Sequence, residues 1–241
     1  MKTLNDILAV RPAKSVAEVL QMMTDMDAIL HADDGLKWFN QLYLAVTNAV
    51  RESIGGTDFN DAPWLERLDI VFANLYFDAV GAALADVSSA PPAWRPLFAA
   101  RNENGIQRIQ FALAGMNAHI NRDLPAALVQ TFAADGNFPS RTDARHDDYE
   151  RVNAILENVE GRVKKVFDVG LVGEIDAAAG RVDDVVAMWS IRAARDAAWT
   201  HAELLWALRH LPLLQKNFLA TLDDFTGFAG RGLLIPVPLT A

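Results

Sequence analysis

From Ser15 to His210 the apolar residues of this chain recur every three or four positions, and outside the C-terminal tail no stretch alternates apolar with polar as a half-buried strand would. Helices that carry such stripes can bury them only against one another. The pattern therefore predicts an all-α fold, a single-domain multi-helix bundle of about seven or eight helices spanning residues 1–241. With 51% apolar residues the chain has ample material for a core, and no shift in composition marks a second domain.

Punctuation residues divide the pattern. Ser15 and Glu18 form a capping box ahead of a helix to Leu30. Asp33 or Asp34 caps a second helix that Gly55-Gly56 stops, and Asp61 followed by Pro63 opens a third that continues to Leu84. Pro91, Pro92 and Pro96 make Ser88–Pro96 a turn. A helix from Gly105 to Ala133 follows, with Pro125 expected to kink or break it. Further helical patterns cover Asp147–Phe167, a short piece near Leu171–Ala179, and Arg181–His210. A last helix, Leu213–Phe225, leads into residues 229–241, read as an irregular apolar tail that caps the bundle or covers a neighbouring subunit in a homodimer.

A net charge of −9 argues against a nucleic-acid polymer as partner, because neutralising phosphates takes a surplus of Lys and Arg. No uncharged run reaches the roughly 20 residues of a membrane span, and the N-terminus lacks the apolar core of a signal peptide, so a cytoplasmic location is expected. There is no cysteine, which leaves His and carboxylates as the only strong metal ligands. Glycine-rich phosphate loops, dinucleotide fingerprints and nucleophile elbows are also missing.

Chemistry concentrates in GMNAHINRDLPAAL, residues 115–128. On a helix His119 and Asp123 share a face one turn apart, with small Gly115 and Ala112 on the same stripe, while Leu113, Met116, Ile120, Leu124 and Leu128 form an opposite, core-packing stripe. The pair is expected to face a crevice between helices. His146 and Glu150, at the same spacing in RHDDYERVNAIL, supply a second His-carboxylate pair on the next helix, and Asp147 and Asp148 supply spare carboxylates. Four ligands, His119, Asp123, His146 and Glu150, would hold one Zn²⁺-like ion if those helices pack side by side. The alternatives are a buried His–Asp hydrogen bond that ties helices together, and acidic residues placed at a helix start by its macrodipole. Arg192 and Arg195 either bind an anionic substrate group or pair with Asp196 and the acids of 147–167. Tyr43, Phe72 and the neighbouring aromatics read as core, bordering the crevice as its apolar wall.

Leu113-Ala-Gly115-Met-Asn-Ala-His119-Ile-Asn-Arg-Asp123 and His146-Asp-Asp-Tyr-Glu150 resemble two segments of the zinc-dependent phospholipase C and P1-type nuclease superfamily. That resemblance implies an all-α phospholipase C/P1 nuclease-like fold and zinc-dependent phosphoester hydrolysis. Val129 stands where that superfamily has a further His, and its N-terminal ligands have no motif here beyond the available His31, Asp34 and Asp69. GMNAHIN-x-DL, LDIVFANLYFDAV and DYERVNAIL are similar to a bacterial family of helical proteins known only as a domain of unknown function. That second resemblance extends over most of the chain.

Three functions are therefore open. The first is a metal-assisted hydrolase of a small ester or phosphoester, with one Zn²⁺-like ion lowering the pKa of bound water, Asp147 or Asp148 as general base, and Asn117 and Asn121 orienting the substrate. The second is a metal-free metabolite-tailoring enzyme, with the His119–Asp123 dyad acting on a small molecule that has an apolar portion. The third is a helical binding or scaffold protein in which these residues form a satisfied buried network.

Overall fold

The computed structural model describes residues 2–54, 59–169 and 190–236, and for 157–169 the backbone only. The described residues are helical throughout, with no strand, in agreement with the apolar periodicity. The elements are α1 (Leu4–Leu8), α2 (Val16–Ile29), α3 (Gly35–Ile54), α4 (Ala62–Ala85), a 3₁₀ turn (Val87–Ser89), α5 (Arg95–Ala100), α6 (Arg108–Ala118), a π-turn (His119–Asp123), α7 (Leu124–Asp135), α8 (Ala144–Val169), α9 (Ile191–Ala207) and α10 (Pro212–Leu233).

Side-chain caps set several starts where the sequence placed them. Ser15 Oγ accepts from the Glu18 amide at 3.2 Å, Asp34 Oδ1 from Leu36 at 3.0 Å and Asp61 Oδ1 from Trp64 at 3.0 Å. Other boundaries differ from expectation. Thr3 and Asp6 cap each other's amides and add the short α1. The last helix runs on to Leu233, well past Phe225, so the first part of the expected irregular tail is helical. Gln110 Nε2 donates to the carbonyls of Leu233 and Ile235 and holds that end against α6. The piece near Leu171–Ala179, the first part of the Arg181–His210 pattern and the tail beyond 236 lie outside the described residues.

The core is built around α6, the π-turn and α7, which pack against α3, α4, α9 and α10. Every residue of α6 from Gln110 to Ala118 is buried, so beyond its first two residues this helix has no solvent face. Gly115 makes the closest approach possible, because a Cβ there would sit 2.3 Å from the Phe39 ring of α3. α4 is, among the described residues, the one helix long and apolar enough to cross a membrane, yet its Trp64, Tyr76 and Phe77 are fully buried among the other helices.

Pro125 was expected to kink or break the central helix. Instead the chain widens one turn and continues: the Leu124 amide donates to the carbonyl of His119, the i to i+5 bond of a π-turn. Proline has no N–H, and in a regular helix its ring would collide with the carbonyl four residues earlier, that of Asn121. The wide turn immediately before Pro125 relieves that collision without ending the helix. It also places His119 and Asp123, the polar pair, inside the irregularity.

Substituting Gly115 with Ala should overpack the α3–α6 contact and cost about 1–3 kcal/mol, read as a lower urea midpoint with unchanged m-value.

Candidate active site

The Asp123 carboxylate is fully buried and accepts from three directions. Oδ2 takes the indole N–H of Trp94 at 2.9 Å and faces His119 Nδ1 at 3.0 Å, while Oδ1 takes Arg122 Nη1 at 2.7 Å. A carboxylate can only accept, so the bond to the imidazole needs the proton on His119 Nδ1. That leaves the lone pair on Nε2, which is buried and has no hydrogen-bond partner. Burial lowers the His119 pKa, against the opposing pull of its Asp123 hydrogen bond and charge, so the imidazole is held neutral near pH 7.

An aromatic box fixes the ring. Phe72 stacks on it at 3.5 Å between centroids, and Tyr43 meets it edge-on at 4.5 Å. His119 also lines a cavity of about 60 Å³ that is partly open to the surface, walled mainly by Val50, Leu65, Leu68, Met116, Ile120 and Leu124. Met116, Ile120 and Leu124 belong to the stripe read from sequence as ordinary core. The crevice thus opens beside that stripe.

Two further buried polar atoms in residues lining this cavity make no hydrogen bond of normal geometry: Tyr43 Oη, which has the Thr47 hydroxyl nearby, and Asp69 Oδ2. Burial raises the Asp69 carboxyl from 3.8 to about 7, helped by the charge of Glu66. Asp69 as a whole is half-buried, but Oδ2 itself is sealed. Burial also pushes the Tyr43 hydroxyl well above its usual range, so it stays a proton donor at neutral pH. Each such buried, unpaired group costs about 1–3 kcal/mol, and three on one apolar cavity is a concentration that packing alone does not require. A neutral imidazole base, a protonatable carboxyl and a phenol lining one largely apolar cavity can give and take protons.

The other expected site residues do not join this group. Asn117 Nδ2 donates to the carbonyl of Thr226 at 2.9 Å and Asn121 Nδ2 to Asn117 Oδ1 at 3.0 Å, so the pair ties the central helix to α10 and does not line the cavity. His146 meets Trp199 edge-on at 4.6 Å, and Glu150 accepts from Asn153. Asp147 is exposed in the first turn of α8. Asp148 is buried but committed: its oxygens receive the Asn60 and Asp61 amides at 2.9 and 2.7 Å and anchor the start of α4. Among the described residues no three His, Asp or Glu side chains are grouped to hold a metal ion. His119, Asp123, His146 and Glu150 therefore do not assemble into the four-ligand Zn²⁺ set drawn from their spacing, because equal spacing on two helices leaves their relative rotation free.

A family model described as "Family of unknown function (DUF5995)" matches residues 16–236. The chain belongs to this family. No curated protein and no solved structure matches it. The match runs from the start of α2 to the end of α10 and so includes every residue of the cavity in this DUF5995 member.

Sequence reasoning touched Tyr43, Asp69 and Arg195 separately, as apolar wall, available acid and candidate for an anionic substrate group, without bringing them to one cavity. Asp69 left a signal, since it is a lone acid on the stripe of Leu65, Leu68 and Phe72, inside the apolar run LDIVFANLYF. Arg195 left a similar one beside Ala198, Trp199 and Ala202. Tyr43 left no sign of a chemical role beyond the apolar wall, because a core tyrosine and a catalytic one look alike in sequence.

Two measurements check these electrostatics. Asp123→Ala strands the Trp94 N–H, His119 Nδ1 and the Arg122 charge, and should cost about 3–5 kcal/mol in urea denaturation. Asp69 has a raised folded-state pKa, so its stability contribution is complete below its unfolded value of 3.8 and is lost as pH rises to about 7. Asp69→Asn should accordingly be more stable than the parent at pH 8, by up to about 4 kcal/mol, with the difference closing toward pH 4.

Proposed function

We propose that this protein is a metal-free acid–base enzyme that moves a proton on a small, largely apolar substrate, with His119 as base and Asp69 as acid. The observation that supports it best is that three residues lining one apolar cavity, His119, Asp69 and Tyr43, each carry a buried polar atom without a hydrogen-bond partner. In this reading Asp123 orients the imidazole and stabilises its protonated form. Nε2 takes a proton from a carbon next to a carbonyl while the Asp69 carboxyl protonates the carbonyl oxygen, giving an enol. Return of a proton at the same or another carbon completes an exchange or an isomerisation. Tyr43 supplies a second hydrogen bond to that oxygen.

The zinc hydrolysis that the phospholipase C resemblance implies is not adopted. His119 Nδ1 and both Asp123 oxygens are engaged in hydrogen bonds, so the pair presents one free nitrogen, a donor set suited to a base rather than to chelation. The scaffold reading is disfavoured because the network is satisfied around Asp123 but unsatisfied at the cavity.

Deuterium exchange tests the proposal. The protein is incubated in D₂O with butanone, 3-methylbutan-2-one and cyclopentanone, and incorporation is followed by mass spectrometry. Exchange above the buffer rate is expected, falling at least about 100-fold in His119→Ala. Its rate should rise with pH as His119 loses its proton below the usual 6.5, and fall as Asp69 ionises near 7, giving a bell with its maximum in slightly acidic solution. Exchange at the buffer rate with all three ketones, or exchange indifferent to His119→Ala, overturns the reading.

A further inference from the structure

Arg195 is 7% exposed, on α9, and lines the same cavity as His119 and Asp69. Its guanidinium lies over the Tyr149 ring at 4.0 Å, Nε donates to Asn153 Oδ1 at 2.7 Å, and Nη2 donates to the Tyr149 carbonyl at 2.7 Å. All of these partners are neutral. Among the described residues no carboxylate pairs with Arg195, although Asp196 follows it in sequence and Glu150 accepts from the same Asn153. A guanidinium has five N–H donors, and two are used, which leaves three, including both on Nη1. A buried cation without a counter-charge is costly, and a fold that keeps one at the wall of a cavity gains most when an anion arrives there.

We infer that the substrate of this cavity is a small apolar carboxylate, held by its charged end on Arg195 with its apolar body toward His119 and Asp69. The inference rests on the reading of the cavity as the substrate site. A single negative charge follows from the walls: Arg195 is the one cation among the described lining residues, and Asp69 would repel a second charge once ionised. The planar fork of a guanidinium matches a carboxylate in shape as well as charge. Tyr149 keeps the fork in place from below, and its hydroxyl donates to the Arg195 carbonyl at 2.8 Å, so ring and guanidinium are fixed relative to one backbone segment.

Isothermal titration at pH 6 with hexanoate, hexan-1-ol and hexylammonium reads this directly. Hexanoate should bind at least 10-fold more tightly than hexan-1-ol, and hexylammonium should not bind measurably. Arg195→Met should bring hexanoate down to the affinity of hexan-1-ol, Arg195→Lys should retain part of the preference, and Arg209→Met, on an exposed arginine outside the cavity, should leave it unchanged. Hexanoate binding no tighter than hexan-1-ol to the unaltered protein overturns the inference, and that comparison needs no variant to fold. Hexanoate selectivity in a protein that exchanges no ketone proton supports the ligand class and overturns the acid–base reading. Ketone exchange without hexanoate selectivity does the reverse.

Discussion

The Asp123 carboxylate is the contact on which the centre of this bundle depends. It lies in a π-turn of the central helix and binds Trp94 at the start of α5, His119 one turn back, and Arg122 beside it. Arg122 in turn reaches Asp223 of α10 at 3.3 Å, and Asp223 accepts the Ala93 amide at 2.8 Å. One buried chain of charge-assisted bonds thus joins the central helix, the turn before α5 and the last helix. Such a network is worth its desolvation only when every member is satisfied, and around Asp123 each oxygen is.

The network ends abruptly at His119 Nε2. At Nδ1 the polar groups are saturated, whereas Nε2, Asp69 Oδ2 and Tyr43 Oη, all of residues that line one apolar cavity, are unpaired. The saturated half sets the tautomer and the ring orientation; the unsaturated half holds what chemistry would use. Burial then pushes the two titratable groups in opposite senses, His119 toward neutrality and Asp69 toward protonation, which is the division of roles that an acid–base pair needs. The stability forgone at these atoms comes from the aromatic packing of Phe39, Phe72, Tyr76 and Trp94 around the ring.

Much of the fold was legible in the sequence because local rules governed it. Ser15, Asp34 and Asp61 cap helices where their spacing says they should, and Gly115 clears the space that its smallness suggests. Pro125 announced an irregularity but not its form, since whether a helix kinks, ends or widens depends on what packs around it. Half of the candidate site was legible too: His119 and Asp123 are four residues apart on one helix, and they do bond. His146 and Glu150 share that spacing, yet Trp199 and Asn153 occupy them. Spacing fixes which residues share a face and says nothing of which faces meet.

The sequence by itself determined the all-helical class, most helix starts and the His119–Asp123 pair, because caps, apolar periodicity and i, i+4 neighbours act within a few residues of chain. Only the tertiary structure decided that Tyr43 of α3, Asp69 of α4, His119 of the π-turn and Arg195 of α9 line one cavity. Those residues are far apart in sequence, and what joins them is the rotation and crossing of packed helices, set by the shapes of many side chains together.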